Sequence, residues 1–288
     1  MPIEINAVVA DARRRFRAAG IPRDEAALDA RLLAQHVLGW DAARLMTHGD
    51  EAATPDFQLA FEQLVARRVR REPIAYITGT REFWNVTIEV TPAVLVPRPE
   101  TELIIEAALE HFDHGLALRM LDVCTGSGCL AVALAREFPK ATLVASDVCD
   151  AALSVAQRNL SRYGLTARVS CACTDLLDGL NGPFDLIVAN PPYVPASDAP
   201  DLQPEVREFE PAGALFAGDD GLQIIRRLVP DAAKVLAPEG LLVFEFGAGQ
   251  DAQVEAIVAA TPALTLLEIK HDLQDIPRTA VAQRRAAR

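Results

Sequence analysis

The chain has 288 residues, of which 50% are hydrophobic, and this is typical of about two globular domains with sizeable cores. No apolar run approaches the roughly 18 residues that span a bilayer, and residues 1–16 lack the apolar centre of a secretion signal, so we expect a cytoplasmic protein without membrane association. The net charge is −12, and its excess lies wholly in residues 81–288, because residues 1–80 contain 11 basic and 11 acidic side chains. Affinity for nucleic acid comes from Lys and Arg that neutralise phosphates, so this charge disfavours a duplex and favours a protein partner with a basic surface.

Residues 1–75 are predicted to form a small helical bundle. Segments 6–20, 24–39 and 41–49 each begin near an Asn or Asp and end at a Gly, and Thr54-Pro55 supplies a cap and a first-turn proline for a fourth helix. That helix ends in an arginine cluster, for which we expect a solvated basic face, with a docking role as the alternative. The cluster consists of Arg67, Arg68, Arg70 and Arg71.

The pattern changes after the bundle. Residues 76–100 contain short apolar strands closed by Pro97-Arg98-Pro99, which predicts a β-hairpin and linker. Residues 101–288 alternate strand-like and helix-like segments, which predicts an α/β domain with a mostly parallel sheet covered on both faces. The predicted strands are residues 119–124, 142–147, 168–173, 184–190, 241–246, 264–269 and 279–283. The proline-rich connection 191–219 exceeds ordinary loop lengths, and loops that long are commonly functional.

Polar and glycine residues follow the first three of these strands. The first strand runs into Cys124-Thr125-Gly126-Ser127-Gly128, where glycines let a backbone pass close to a ligand and the next helix presents free N–H groups. Asp147 ends the second strand and can accept both hydroxyls of a ribose. Asp175 and Leu176 follow the third strand, where they would bound an adenine. These positions predict a nucleoside pocket, which a dinucleotide dehydrogenase would share, although the loop here is not Gly-x-Gly-x-x-Gly.

Asn190-Pro191-Pro192-Tyr193 follows the fourth strand of the sheet. The two prolines fix φ near −65° and remove two backbone donors, so the segment offers acceptors, namely the Asn190 side-chain oxygen and nearby carbonyls. Tyr193 adds a flat face for stacking. The tetrapeptide therefore predicts a site that grips a planar NH2 group, beside the nucleoside pocket and at the same edge of the sheet.

The five cysteines form no C-x-x-C pair, and we expect them to be small core residues in a reducing compartment. No metal site is expected.

These motifs together resemble a known family. The glycine loop and Asp147 are similar to the cofactor motifs of class I S-adenosylmethionine-dependent methyltransferases, and Asn190-Pro-Pro-Tyr193 is similar to the signature of methyltransferases that modify amide or exocyclic amino nitrogens. Glu72-Pro-Ile-Ala-Tyr-Ile-Thr-Gly79 and Val94-Leu-Val-Pro-Arg-Pro-Glu-Thr-Glu102 resemble the interdomain signature of protein-(glutamine-N5) methyltransferases of the HemK/PrmC type. Two later stretches, 210–222 and 244–250, resemble the same family.

The resemblance implies a Rossmann-like fold with a seven-stranded, mostly parallel sheet, a small N-terminal bundle that binds the substrate protein, and a hairpin linker. It implies methyl transfer from S-adenosylmethionine to the glutamine of the Gly-Gly-Gln motif in class I peptide-chain release factors, with S-adenosylhomocysteine as product. The implied catalytic residues are Asn190, Pro191, Pro192 and Tyr193. The implied cofactor-binding residues are Cys124, Thr125, Gly126, Ser127, Gly128, Asp147, Asp175, Leu176 and Asn190. We expect a monomer that binds no nucleic acid directly.

Two positions depart from the family pattern, since Cys124 and Asp275 stand where glycine is usual. An adenine-N6 or guanine-N2 nucleic-acid methyltransferase would use the same tetrapeptide on a flipped base and is the alternative function. A binding module that has lost catalysis is a further alternative, although the motif residues are intact.

Overall fold

The computed structural model describes residues 3–286, so the outermost residues of the predicted domains 1–75 and 101–288 lie outside the described part. The helices, numbered along the chain, are α1 Ile5–Ala18, α2 Arg23–Leu38, α3 Ala42–His48, α4 Pro55–Val69, α5 Ile74–Thr78, α6 Glu102–His111, α7 Cys129–Glu137, α8 Asp150–Arg162, α9 Pro204–Phe209, α10 Gln223–Val235 and α11 Asp251–Ala259. The strands are β1 Thr80–Phe83, β2 Val86–Glu89, β3 Arg119–Val123, β4 Thr142–Asp147, β5 Val169–Cys173, β6 Phe184–Ala189, β7 Leu236–Glu245, β8 Leu264–His271 and β9 Pro277–Arg284.

The described chain divides into two compact units. The first contains the residues up to Thr80 together with Gln203–Phe209, and the second contains Arg81–Leu202 together with the residues from Glu210 onward. The second part of the first unit is α9, which interrupts the long proline-rich connection. None of the helices within residues 3–286 is long and apolar enough to cross a membrane.

The first unit is a helical bundle whose helix starts follow local capping chemistry. The Asp41 side chain accepts a hydrogen bond from the Arg44 N–H at the start of α3, and Thr54 caps α4 with Pro55 at the first helical position. Phe57 and Phe61 stack in the core with ring centroids 5.2 Å apart. Residues 76–78, expected in the linker, instead complete α5.

The arginine cluster at the end of α4 is largely internal, so the expectation of a solvated face was wrong for most of it. Arg68 is buried and donates to Asp29 at 2.7 Å and to Glu205 at 2.8 Å. Arg71 donates to both oxygens of the same Glu205, which belongs to α9. These ion pairs hold α9 within the first unit.

A two-stranded hairpin of β1 and β2 leads into the second unit. Its turn residues, Trp84 and Asn85, both have positive φ, as a two-residue hairpin turn requires.

The second unit is built on a seven-stranded sheet with the strand order β5-β4-β3-β6-β7-β9-β8. Strands β5, β4, β3, β6 and β7 are parallel, while β9 is antiparallel to both of its neighbours. Parallel strands buried on both faces consist of nearly continuous apolar residues, as β6 does. This sheet confirms the predicted fold class, which has a seven-stranded and mostly parallel sheet.

The strand order reverses at β3, because β4 and β5 extend to one side while β6 and β7 lie on the other. Ligands of open α/β sheets bind beyond the carboxyl ends of the strands at such a switch point. The predicted glycine loop follows β3 and the predicted Asn190 follows β6, so both lie at this position.

Candidate active site

The glycine loop joins β3 to α7 through a run of left-handed residues. Cys124, Gly126 and Gly128 have φ values of 59°, 55° and 78°. A Cβ placed on Gly128 would lie 3.1 Å from the Cβ of Ala156 in α8, whereas one placed on Gly126 would meet nothing within 4 Å. Gly128 therefore allows close packing of the loop on a helix, while Gly126 leaves open space in front of the backbone. Cys124 occupies a conformation that glycine adopts without strain, which explains why glycine is usual there.

Asp147 lies at the end of β4, beside the glycine loop. Its two carboxylate oxygens accept the backbone N–H groups of Gly126 and Cys149, each at 2.9 Å. A carboxylate has about four lone-pair sites, so both oxygens retain capacity for a further hydrogen bond. The hydrogen bond from the loop thus fixes the Asp147 carboxylate in an orientation in which it can accept hydrogen bonds from a ligand.

The third strand end contributes Asp175 and Leu176. Leu176 is buried with a φ of 52°, and its side chain lines the cavity described below. The half-exposed Asp175 carboxylate also lines the cavity and accepts a hydrogen bond from Arg227 at 2.7 Å. Sequence reasoning did not find this arginine.

The Asn190 side chain is held by a hydroxyl group. Its Nδ2 donates to Thr101 Oγ1 at 2.9 Å, and the Thr101 hydroxyl donates to Glu245 Oε2 at 2.6 Å. The Tyr193 hydroxyl donates to Glu245 Oε1 at 2.8 Å. Burial, followed by the Glu245 carboxylate, raises the pKa of Tyr193 well above its usual value, so its hydroxyl remains a donor.

Glu245 is therefore the buried centre of this hydrogen-bond network. Its side chain is 1% exposed, and burial raises its pKa, while the hydroxyls of Thr101 and Tyr193 lower it. Gln250 holds the backbone at Tyr193 in place. Its Nε2 donates to the Tyr193 carbonyl at 3.0 Å, and its Oε1 accepts a hydrogen bond from the Gly247 N–H.

Sequence reasoning missed Thr101, Glu245 and Gln250 as site residues. A sequence signal for them was present, because Thr101 lies within residues 94–102 and the other two lie within residues 244–250, and both stretches resemble the family.

Asp122 lies behind the glycine loop and is fully buried. Its Oδ2 accepts the Thr125 hydroxyl at 2.6 Å, which ties the loop to β3. Burial raises the pKa of Asp122 to about 7, against the opposing effect of this hydrogen bond.

One cavity of about 350 Å³ joins the strand ends. It is lined by all the predicted cofactor residues except Gly128, and by Pro192 of the tetrapeptide; Pro191 and Tyr193 are not among its lining residues. Val94, Leu95 and Pro97 also line the cavity. The cavity thus places a carboxylate, an apolar surface and a carboxamide along one continuous space.

No group of three or more His, Cys, Asp or Glu side chains that could hold a metal ion occurs between residues 3 and 286. The cysteines are not all core residues as expected, since Cys149 and Cys173 are exposed.

The sheet order, the glycine loop after β3, the acidic end of β4 and the Asn-Pro-Pro-Tyr segment after β6 define a Rossmann-like class I methyltransferase. Family models support this class, since residues 7–79 match the PrmC N-terminal domain and residues 101–204 match the methyltransferase small domain. A ribosomal protein L11 methylase from Lactobacillus delbrueckii has the same fold, with a TM-score of 0.51 and 22% identity over 69% of this chain and 85% of that one.

Two curated relatives show to which family of class I methyltransferases the chain belongs. The release factor glutamine methyltransferase of Rhodospirillum rubrum is 41% identical, over 95% of this chain and 83% of that protein. The enzyme of the same name from Geobacter sulfurreducens is 44% identical over 83% of each chain. The chain belongs to the release factor glutamine methyltransferase family, and the family predicted from its motifs is confirmed.

Proposed function

We propose that this protein transfers a methyl group from S-adenosylmethionine to the side-chain amide nitrogen, N5, of the glutamine in the Gly-Gly-Gln motif of class I peptide-chain release factors. The observation that carries the proposal is the direction of the Asn190 carboxamide. Its nitrogen is committed to Thr101, so its Oδ1 is the atom left to accept a hydrogen bond. An acceptor beside a nucleoside-type cavity suits an NH2 group as the methyl acceptor.

The cavity fits the cofactor in its donor set. Asp147 retains acceptor capacity for two ribose hydroxyls, and Asp175 and Leu176 provide an edge and an apolar face for adenine. The open space in front of Gly126 admits a ligand close to the loop, which also contains Cys124, Thr125, Ser127 and Gly128. When bound, S-adenosylmethionine supplies an electrophilic methyl group on a sulfonium sulfur.

The residues of the tetrapeptide would overcome the poor nucleophilicity of an amide, whose nitrogen lone pair is delocalised into the carbonyl. Asn190 Oδ1 and the Pro191 carbonyl would accept the two amide hydrogens and aim the nitrogen. Each such hydrogen bond in a dry site contributes about 1–3 kcal/mol. Pro192 stiffens the segment, and Tyr193 would stack on the amide plane. No strong base is required, because the proton can leave after the N–C bond has formed.

The test uses labelled S-adenosylmethionine with an intact release factor and, separately, with DNA and structured RNA. We expect label on the Gly-Gly-Gln glutamine of the release factor, located by fragmentation mass spectrometry. Label on a nucleic acid alone would support the adenine or guanine alternative, and label on none of them would reject methyl transfer.

We further propose that the first unit binds the release factor, which is far larger than the glutamine side chain. Met46 and Leu59 are large apolar side chains of that unit that are available to a protein partner, since they are 82% and 66% exposed. Changing either to Glu should lower kcat/KM for an intact release factor without changing it for a short Gly-Gly-Gln peptide. Leu273→Glu in the second unit is the control, because Leu273 is also a large apolar side chain and is fully exposed to solvent. Equal effects of all three variants would reject the proposal.

A further inference from the structure

Glu245 is a buried acid at the end of β7 whose two oxygens have different hydroxyl partners. Oε2 accepts from Thr101 at 2.6 Å, and Oε1 accepts from Tyr193 at 2.8 Å. A buried carboxyl group costs free energy unless its hydrogen bonds are satisfied, and here both oxygens are used. The acid connects two parts of the predicted acceptor site that are far apart in the sequence.

The chemistry of these groups determines the direction of each hydrogen bond in the series from Glu245 through Thr101 to Asn190. Both oxygens of Glu245 accept, since the hydroxyls of Thr101 and Tyr193 each donate to one of them, so the single proton of the Thr101 hydroxyl is committed to Glu245. The Thr101 oxygen then offers only lone pairs to its other neighbour. Asn190 therefore has to present its NH2 group to Thr101, as the 2.9 Å contact from Nδ2 shows, and its Oδ1 points the other way.

We propose that Glu245 is a positioning residue that sets the orientation of the Asn190 carboxamide through Thr101, and that anchors Tyr193 through its second oxygen. This inference rests on the proposed function, in which Asn190 Oδ1 accepts from the NH2 group of glutamine. In the opposite orientation, Asn190 would present its own NH2 group to that of the substrate, and two donors cannot form a hydrogen bond. Glu245 thus selects an NH2-bearing acceptor without touching it.

Glu245→Gln tests the proposal with almost no change of shape. A carboxamide has one acceptor and one donor end, so it cannot accept from both hydroxyls. If its NH2 faces Thr101, the threonine proton turns to Asn190 and the carboxamide of Asn190 reverses. If its NH2 faces Tyr193, it donates to the phenol oxygen, and the Tyr193 hydroxyl loses the acceptor that it has in Glu245.

We expect Glu245→Gln to lower kcat for release factor methylation by about 5- to 150-fold, the range for a buried polar group that is left without its partner. The dissociation constant for S-adenosylmethionine, measured by calorimetry, should stay within about twofold, because Glu245 is not among the residues that line the cavity. Glu239→Gln is the matched control, since Glu239 lies on the same strand and is exposed. It should retain wild-type kcat.

Thr101 supplies a second, independent test. Thr101→Val keeps the shape but removes the hydroxyl, so it should lower kcat like Glu245→Gln, while Thr101→Ser should restore most of the activity. Both changes interrupt the same series of hydrogen bonds, from Glu245 through Thr101 to Asn190. The kcat of the double variant Thr101→Val/Glu245→Gln should therefore resemble that of the worse single variant.

Wild-type kcat in Glu245→Gln, multiplied losses in the double variant, or a failure of Thr101→Ser to restore activity would each overturn the inference. Failure of the proposed function is distinguishable, since the wild-type protein would then leave the release factor glutamine unmethylated.

Discussion

Gly128→Ala tests whether the glycine loop is shaped by packing on α8 as well as by its backbone conformation. Gly128 has a φ of 78°, and an added Cβ would lie 3.1 Å from the Cβ and 3.2 Å from the Cα of Ala156. Gly126 is the matched control, because its φ of 55° is also left-handed but its Cβ would meet nothing within 4 Å. The two variants share the backbone strain and differ in the contact with α8.

The expected losses follow from these two terms. A left-handed non-glycine residue costs about 1–2 kcal/mol, partly offset by about 0.4–1 kcal/mol because alanine restricts the unfolded chain. The contact with Ala156 adds about 1–3 kcal/mol of overpacking, since the neighbour is helix backbone and cannot turn aside. Gly128→Ala should therefore lose about 1–3 kcal/mol more free energy of unfolding than Gly126→Ala.

The assay is urea unfolding of the ligand-free protein, followed by the fluorescence of Trp84 in a Trp40→Phe background. The chain has two tryptophans, and Trp84 lies in the second unit, so its signal reports on the unfolding of that unit. Equal losses in the two variants, or a larger loss in Gly126→Ala, would refute the packing argument.

Three further predictions concern charged groups. Asp147→Ala should weaken binding of S-adenosylmethionine by roughly 10- to 100-fold, as expected for lost hydrogen bonds to a charged group, and unchanged binding by calorimetry would reject the ribose assignment. Asp122→Asn should flatten the pH dependence of stability. The native pKa of Asp122 is about 7, whereas its ordinary value is 3.8. Between these two pH values the native state holds a proton that the unfolded chain has released. The free energy of unfolding therefore falls as the pH rises through this range. Chemical denaturation of both proteins across this window would show the wild-type decrease to be the larger, and parallel curves would contradict the raised pKa. Arg68→Met should destabilise the first unit by about 3–5 kcal/mol, because Asp29 and Glu205 would be left buried with less compensation. Unfolding followed by Trp40 fluorescence in a Trp84→Phe background measures this loss, and a change below about 1 kcal/mol would show that these carboxylates remain satisfied by other groups.

The strand ends of the site were predictable because their signals are local. Each strand from β3 to β6 is a short, largely apolar segment with the glycine loop or a polar residue at its carboxyl end, and the parallel sheet brings those ends to one edge. Strand β7 was predicted to begin at residue 241 but begins at Leu236. Pro238, Glu239 and Gly240 have the composition of a turn, yet Leu236 pairs with Phe184 before a register shift. Tertiary pairing overrode local composition there.

The side-chain contacts that hold the site residues in place were not predictable, because they connect segments that are distant in the sequence. Thr101 and Glu245 are 144 residues apart, and neither sequence neighbourhood indicates that the two side chains meet. The same holds for Arg68 and Glu205, which are 137 residues apart and turn an apparently solvated basic cluster into a buried ion pair. The preference for glycine that the resemblance implies at positions 124 and 275 has a local cause that only backbone angles reveal, since Cys124 and Asp275 both have positive φ.

The central claim is that Asn190 holds the glutamine amide for methyl transfer. Single-turnover methylation of an intact release factor, with S-adenosylmethionine saturating, compares the wild-type protein with Asn190→Ala. We expect the wild-type protein to methylate the Gly-Gly-Gln glutamine, and the variant to be slower by about 5- to 150-fold, because a hydrogen bond of about 1–3 kcal/mol is lost. Its affinity for S-adenosylmethionine should remain within a few-fold of wild type. Transfer at the wild-type rate by Asn190→Ala would contradict the claim.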